Sequence, residues 1–180
     1  MAAEQTSSVV LVAVDDTVLA QLVRAATTDA GADEVTPPLT AGRGWTSDRV
    51  AWLRDFHRVR RTGLAGPAGE ATWAVVADEW VVGSVRLKHT DEHGVLEMGI
   101  WLTRSARGRG VGRAALTAAL RRAASLGASG VRADTTGSNA GALVVLRRLG
   151  FTLMPADDVQ NIRALILLDP EGNCCMRSDI

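Results

Sequence analysis

The segment that most constrains this chain is Arg107-Gly108-Arg109-Gly110-Val111-Gly112-Arg113, which follows the apolar stretch Val95 to Leu102 and runs straight into an Ala- and Leu-rich stretch, Arg113 to Leu126. The first stretch reads as a strand. The second reads as a helix, since it holds no breaker and Gly127 follows it in the position of a left-handed C-terminal residue. A helix N-terminus carries unpaired N–H groups and roughly half a positive charge, so it attracts phosphate. Glycines remove the Cβ atoms that would keep a diphosphate away, and flanking arginines add charge and forked donors.

The remaining elements follow from period and punctuation. Val9 to Val14 reads as a buried strand, and Asp15 or Asp16 caps a helix bearing Val18, Leu19, Leu22 and Val23 on one face. Asp29 to Gly44 has no period and reads as one long irregular loop. Thr46 or Ser47 then caps a helix to Arg61, with Trp45 stapled onto Val50. Thr72 to Ala77 and Trp80 to Lys88 form a hairpin turning at Asp78 and Glu79. After the Ala-rich helix come a strand at Gly130 to Thr135, a helix at Asn139 to Leu149, a short strand from Phe151 and a last strand at Ile162 to Leu168. With 180 residues, 47% of them apolar, and no linker, the expectation is one domain over residues 1–180.

Charge excludes some partners. Lys plus Arg numbers 20 and Asp plus Glu 20, so no global field draws the chain to nucleic acid or an acidic membrane, and neither partner is expected. Locally the charge is segregated: no acid occurs from Met98 to Ala133, whereas Arg104, Arg107, Arg109, Arg113, Arg121, Arg122 and Arg132 all do. Cys174 and Cys175 are adjacent, unlike a spaced disulfide framework, and point to a reducing cytoplasm. Glu4 and the polar residues after it are unlike a signal peptide, so no targeting segment is expected.

Three phosphate sites could use the glycine turn. A nucleoside triphosphate loop needs Lys and Ser or Thr after the last Gly, but Arg113 and Ala114 stand there. A dinucleotide fingerprint counted from Gly108 meets Arg113 where the sixth-position Gly belongs, although Asp134 could serve as its ribose acid. The third is a resemblance. Arg107-x-x-Gly110-x-Gly112 resembles the acyl-CoA pyrophosphate loop of the GCN5-related N-acetyltransferase (GNAT) superfamily, and Asn139 to Phe151 (NAGALVVLRRLGF) resembles its second signature. Glu97 to Leu102 and the Leu-Gly-Phe ending look most like the branch of ribosomal-protein N-terminal and aminoglycoside acetyltransferases. The motifs are specific over about residues 73–151, which would be the cofactor-binding core.

The resemblance implies an α+β fold of three layers, α/β/α, whose mixed, mostly antiparallel sheet splays at a β-bulge in the strand Val95 to Leu102. It implies acetyl-CoA as cosubstrate and no metal. The pantetheine arm would pair with the backbone of Gly99, Ile100, Trp101 and Leu102. The pyrophosphate would lie on Arg107, Gly108, Arg109, Gly110, Val111 and Gly112, with Arg104 and Arg113 reaching the 3′-phosphate and Asn139 near the pantetheine end. Ile100 and Leu102 could equally be core, Arg104 and Arg113 solvated, and Asn139 simply an N-cap.

The implied reaction is attack of a neutral amine on the thioester. A lysine-type amine has a pKa of about 10.4 and an α-amine about 7.7 to 8.0, so either must shed a proton. Glu97 is the candidate catalytic base, with a salt-bridged strand Glu as the alternative; His93, Asp91 and Glu92 come behind it, and His57 and His89 read as structural or surface residues. Many relatives carry a Tyr or Ser general acid on the helix opened by Asn139, but Leu146 and Ala142 occupy those positions and the chain has no Tyr. Ser138, Thr136 or water would have to serve, or the chain is an acyl-CoA sensor with little activity. The acceptor is expected to be a polyamine, an aminoglycoside or a peptide N-terminus, received by Asp29, Asp33, Glu34, Trp45, Asp157 and Asp158. Trp52, Trp73 and Trp80 read as packing residues, and a homodimer stays open.

Overall fold

A computed structural model describes residues 8–39, 41–156 and 160–168; Glu4, Asp157, Asp158, Cys174 and Cys175 lie outside the described residues. The elements are β1 (Val9–Ala13), α1 (Asp16–Asp29), α2 (Ala32–Val35), α3 (Ser47–Arg58), β2 (Glu70–Ala77), β3 (Trp80–His89), β4 (Val95–Leu102), α4 (Val111–Ser125), β5 (Gly130–Thr136), α5 (Ala140–Arg148), β6 (Thr152–Pro155) and β7 (Asn161–Leu167). A 3-10 turn, Arg104–Ala106, separates β4 from α4.

Local chemistry sets most of the boundaries. Asp15 accepts the Val18 N–H at 2.8 Å, Thr46 the Arg49 N–H at 3.3 Å, and Asn139 the Ala142 N–H at 3.2 Å, so each satisfies a donor at a helix start. The β2–β3 turn is tight because Asp78 and Glu79 both take left-handed backbone, φ 48° and 71°.

The sheet order is β1-β2-β3-β4-β5-β7-β6. Among the described strands β4 and β5 pair parallel and all other neighbours antiparallel, which is the mixed, mostly antiparallel sheet expected. One face is covered by α4 and α5 through Ala115, Ala119, Leu146 and Phe151. The other is covered by α1 and α3 through Leu19, Leu22 and Leu53, completing three layers.

Three local expectations differ from what is observed. β1 is an edge strand rather than a buried one, and Val10 is 52% exposed because β1 pairs only with β2. The loop after α1 is partly ordered into α2, because Arg49, fully buried at the start of α3, reaches into it. Its guanidinium donates to Thr36 Oγ1 at 3.1 Å, Asp33 Oδ1 at 2.8 Å and Gly42 C=O at 3.1 Å. Finally, β4 carries no bulge: its register with β3 runs unbroken from Gly83↔Leu102 to His89↔Leu96, and the one slip lies between Val75 and Val76 in the β2–β3 ladder.

The sheet splays nonetheless. Pairing of β4 with β5 covers only Val95 to Glu97 and ends at Glu97↔Arg132. From Met98 to Leu102 the β5-facing edge of β4 has no strand partner, although its other edge stays paired with β3. Ile100 is consequently 36% exposed in the middle of the sheet.

Candidate active site

The open edge of β4 leads directly to the glycine turn. Gly108 and Gly110 take φ 73° and 79°, which L side chains rarely adopt, and a Cβ on either would meet nothing within 4 Å. Gly110 is the N-cap of α4, whose first hydrogen bond runs from Ala114 N–H to the Gly110 carbonyl at 3.1 Å. Helix geometry therefore leaves the N–H groups of Val111, Gly112 and Arg113 without intrahelical acceptors. A Cβ at Gly112 would touch only Leu102 Cδ1, at 3.5 Å. An arginine-bearing turn with empty space above two glycines and free helix N–H groups fits a diphosphate, and the adjoining strand edge fits an amide-bearing chain.

The arginines divide by role. Arg107 donates through Nε and Nη2 to Leu102 C=O at 3.1 and 2.9 Å and through Nη1 to Glu34 at 2.9 Å, and its own N–H is bonded to Arg104 C=O. Its side chain therefore splints the turn instead of pointing outward from it. Arg109 is 62% exposed, 3.8 Å from Asp78, and Arg104 and Arg113 are exposed as well. Asn139 caps α5 through its carbonyl oxygen. Leu102 packs on the α4 side, whereas Ile100 faces the gap.

Glu97 sits at the last rung before β4 and β5 part. It pairs with Arg132 at 3.1 Å and with Arg86, which also pairs with Glu70 at 3.0 Å; Glu70 in turn holds Arg60 at 2.5 Å. Burial pulls the Glu97 carboxyl upward, but the guanidiniums of Arg132 and Arg86 outweigh it and hold the group below the ordinary Glu value. The salt-bridged alternative is thus the geometry present, and a carboxylate so stabilised is a weakened base. Sequence reading passed over Arg86 and Glu70. The available signal was a charged residue at mid-strand in Val-Arg-Leu-Lys. Only the register shows that Arg86 faces Gly99, where a Cβ would come within 2.7 Å of its Nε.

On the α3 side of β4 lies a cavity of about 370 Å³, bounded by Glu34, Trp52, Phe56, His57, Arg86 and the β4 residues Gly99 to Trp101. It adjoins β4 where that strand's far edge is open. His57, read as structural, belongs to this wall. Its Nδ1 meets Thr72 Oγ1 at 3.0 Å and its buried Nε2 has no hydrogen-bond partner among the described residues. Burial, and then Arg60, push the His57 pKa down to about 4. An unfolded chain protonates this histidine near pH 6.5, so between pH 6.5 and 4 the unfolded state takes up a proton that the folded state refuses. Stability is therefore expected to fall as pH drops through that window, by about 3 kcal/mol in all and about 2 kcal/mol by pH 5. Urea titrations between pH 7.5 and 5 would measure it, and a flat profile would place a charged His57 in the folded protein.

Of the other expected residues, Asp29 accepts the Ser105 N–H at 3.0 Å, Asp33 binds Arg49, and Trp45 donates to Ala30 C=O at 3.0 Å outside the cavity. Trp73 lies on the opposite face, 5.7 Å from the Arg122 guanidinium, and Trp80 is 75% exposed. Leu146 is buried in the core at the position where relatives place a general acid, while Thr136 and Ser138 form a hydroxyl pair at 3.1 Å beside α5. Asp134 pairs with Arg163 at 3.1 Å, which removes the ribose acid of the dinucleotide reading. Among the described residues no group of three or more His, Cys, Asp or Glu could hold a metal, and no helix is long and apolar enough to cross a membrane.

Solved structures share this architecture. The acetyltransferase from Salmonella typhimurium that modifies the N-terminal serine of ribosomal protein L7/L12 is 15% identical, with TM-score 0.69 over 93% of this chain and 98% of that one. The microcin C7 self-immunity acetyltransferase MccE, in complex with acetyl-CoA and AMP, is 13% identical, with TM-score 0.67 over 92% and 94%. A chimera of the spermidine N-acetyltransferase SpeG from Vibrio cholerae with hSSAT is 16% identical, with TM-score 0.62 over 88% and 95%. No curated protein matches the chain by sequence. The model of the acetyltransferase (GNAT) domain matches residues 16–152, well over half of the chain, and with the splayed sheet and glycine turn in the same span, the protein belongs to the GNAT family.

Proposed function

We propose that the protein is an acetyl-CoA-dependent N-acetyltransferase that acts on a primary amine by direct attack within a ternary complex. The observation that carries this reading is the gap between β4 and β5. It ends at the α4 amides on one side, and β4, which bounds it, also walls a half-open cavity on the other. Acetyl-CoA, when bound, would supply a thioester carbonyl as electrophile and a thiolate as leaving group: the C–N bond forms at the carbonyl, the C–S bond then breaks, and the proton lost by the amine ends on sulfur, giving amide and free thiol. Those backbone groups of Gly99 to Leu102 that point away from β3, other than the Leu102 carbonyl held by Arg107, would hold the pantetheine arm, and an N–H among them would receive charge developing on an acyl oxygen. Val111, Gly112 and Arg113 N–H groups would hold the diphosphate, with Arg109 as the mobile cation beside them. The acetyl-CoA bound by one structural neighbour and the amine acceptors named for two others support the assignment.

The amine must arrive neutral, since Glu97 is committed to two arginines. Glu97 serves here as a positioning residue that clasps Arg86 and Arg132 where the strands part. Glu97→Gln is expected to lower turnover about tenfold with the shape of the pH–rate profile retained. Loss of the acid limb of that profile would instead make Glu97 the base. The buried Leu146 favours a second reading, a CoA-binding sensor without turnover. Calorimetry with acetyl-CoA, followed by thiol release on adding primary amines, separates the two. Heat without amine-stimulated thiol supports the sensor, and no heat removes both.

A further inference from the structure

The three described acids that could receive a cationic acceptor are already engaged: Asp29 by the Ser105 N–H, Asp33 by buried Arg49, and Glu34 by Arg107. Of these only Glu34 borders the cavity, and its carboxyl also accepts the Gly31 N–H at 2.8 Å. The inner wall contributes a cation, Arg86, which is held toward the cavity because Gly99 has no side chain to displace it. The rest of the wall is mostly apolar, and three aromatic side chains, Trp52, Phe56 and Trp101, belong to it. Trp52 and Phe56 stack with centroids 4.8 Å apart and planes inclined by 27°, and Trp101 lies on β4 beside them. Among the described residues a second ammonium would come up against Arg86, whose partners Glu70 and Glu97 are shared with Arg60 and Arg132, whereas an apolar ring would find a matching surface.

From this we infer that the acceptor is a primary amine carried on a single aromatic-sized apolar body with no second cationic centre, an arylalkyl amine, rather than a polyamine or an aminoglycoside. This inference rests on the acetyltransferase reading for its chemistry but on the cavity wall for its selectivity. It narrows the earlier expectation of an amine acceptor: of the acids named for that role Asp29, Asp33 and Glu34 are engaged, and Asp157 and Asp158 lie outside the described residues. A volume of about 370 Å³ admits a phenyl ring with its ethylamine arm.

The test is a titration of the full chain, in the presence of CoA, with 2-phenylethylamine, spermidine and kanamycin. Tryptophan emission is the binding signal, since Trp52 and Trp101 border the cavity, and thiol release from acetyl-CoA is followed in parallel. The dissociation constant for 2-phenylethylamine is expected to be at least about tenfold below those of the two polycations. Trp52→Ala should erase that preference and Trp52→Phe should keep it. Equal or tighter binding of spermidine or kanamycin, or no binding of 2-phenylethylamine, overturns the inference. Preferential binding of 2-phenylethylamine without thiol release upholds the cavity's selectivity and defeats the acetyltransferase reading instead.

Discussion

Gly110→Val is expected to weaken acetyl-CoA binding by about 100-fold or more, equivalent to about 2.7 kcal/mol, while leaving a folded protein. Two effects combine. At φ 79° a β-branched residue is strained by about 1–2 kcal/mol, so the turn shifts and the amides that follow lose their common aim. The new side chain also projects into space where no protein atom lies within 4 Å, which is where the diphosphate would rest. Charge-assisted hydrogen bonds are worth about 1.5–3 kcal/mol each, so losing two suffices. Calorimetry reads the affinity and circular dichroism the fold. Undiminished affinity would move the diphosphate away from this helix end.

The second large effect concerns stability. Arg49→Met should cost about 3 kcal/mol and lower Tm by roughly 6–12 °C. Methionine replaces the buried stem, but Thr36 Oγ1, itself buried, loses the donor it accepts from, and the Gly42 carbonyl loses one as well. Asp33 is 48% exposed and can turn to water, so most of the cost falls on the loop interior. Because Val35 and Pro37 border the cavity, acceptor binding should weaken more than acetyl-CoA binding. Thermal unfolding within 2 °C of the parent would mean that something other than Arg49 holds this loop.

Features governed by nearest neighbours were legible in the sequence. Asp15, Thr46 and Asn139 cap the helices they were expected to open, Gly127 follows the long helix with φ 81°, and the glycine turn that opens α4 could be read because turn, glycines and helix are contiguous. Features that depend on register or on distant partners were not. The Arg60–Glu70–Arg86–Glu97–Arg132 chain exists because four strands align in one register, and Glu97 alone carries no sign of its two arginines. Arg49 finds Asp33 and Thr36 far back along the chain, so a loop without period turned out to be anchored. The cavity beside β4 is assembled from α2, α3, β3 and β4, and none of these carries a motif for it. The splay was expected for the right strand but by the wrong device, since the β4–β5 ladder simply stops without a bulge.

One tie described above joins the molecule's two mouths. Glu34 is at once part of the cavity rim and the anion that restrains Arg107, and Asp29 holds the backbone of Ser105 two residues before it. A guest that shifts Glu34 at the cavity wall loosens the guanidinium that splints the glycine turn, so the two ends of the site are tied together. Thermodynamic reciprocity then requires each guest to alter the other's affinity by one and the same factor, whichever arrives first.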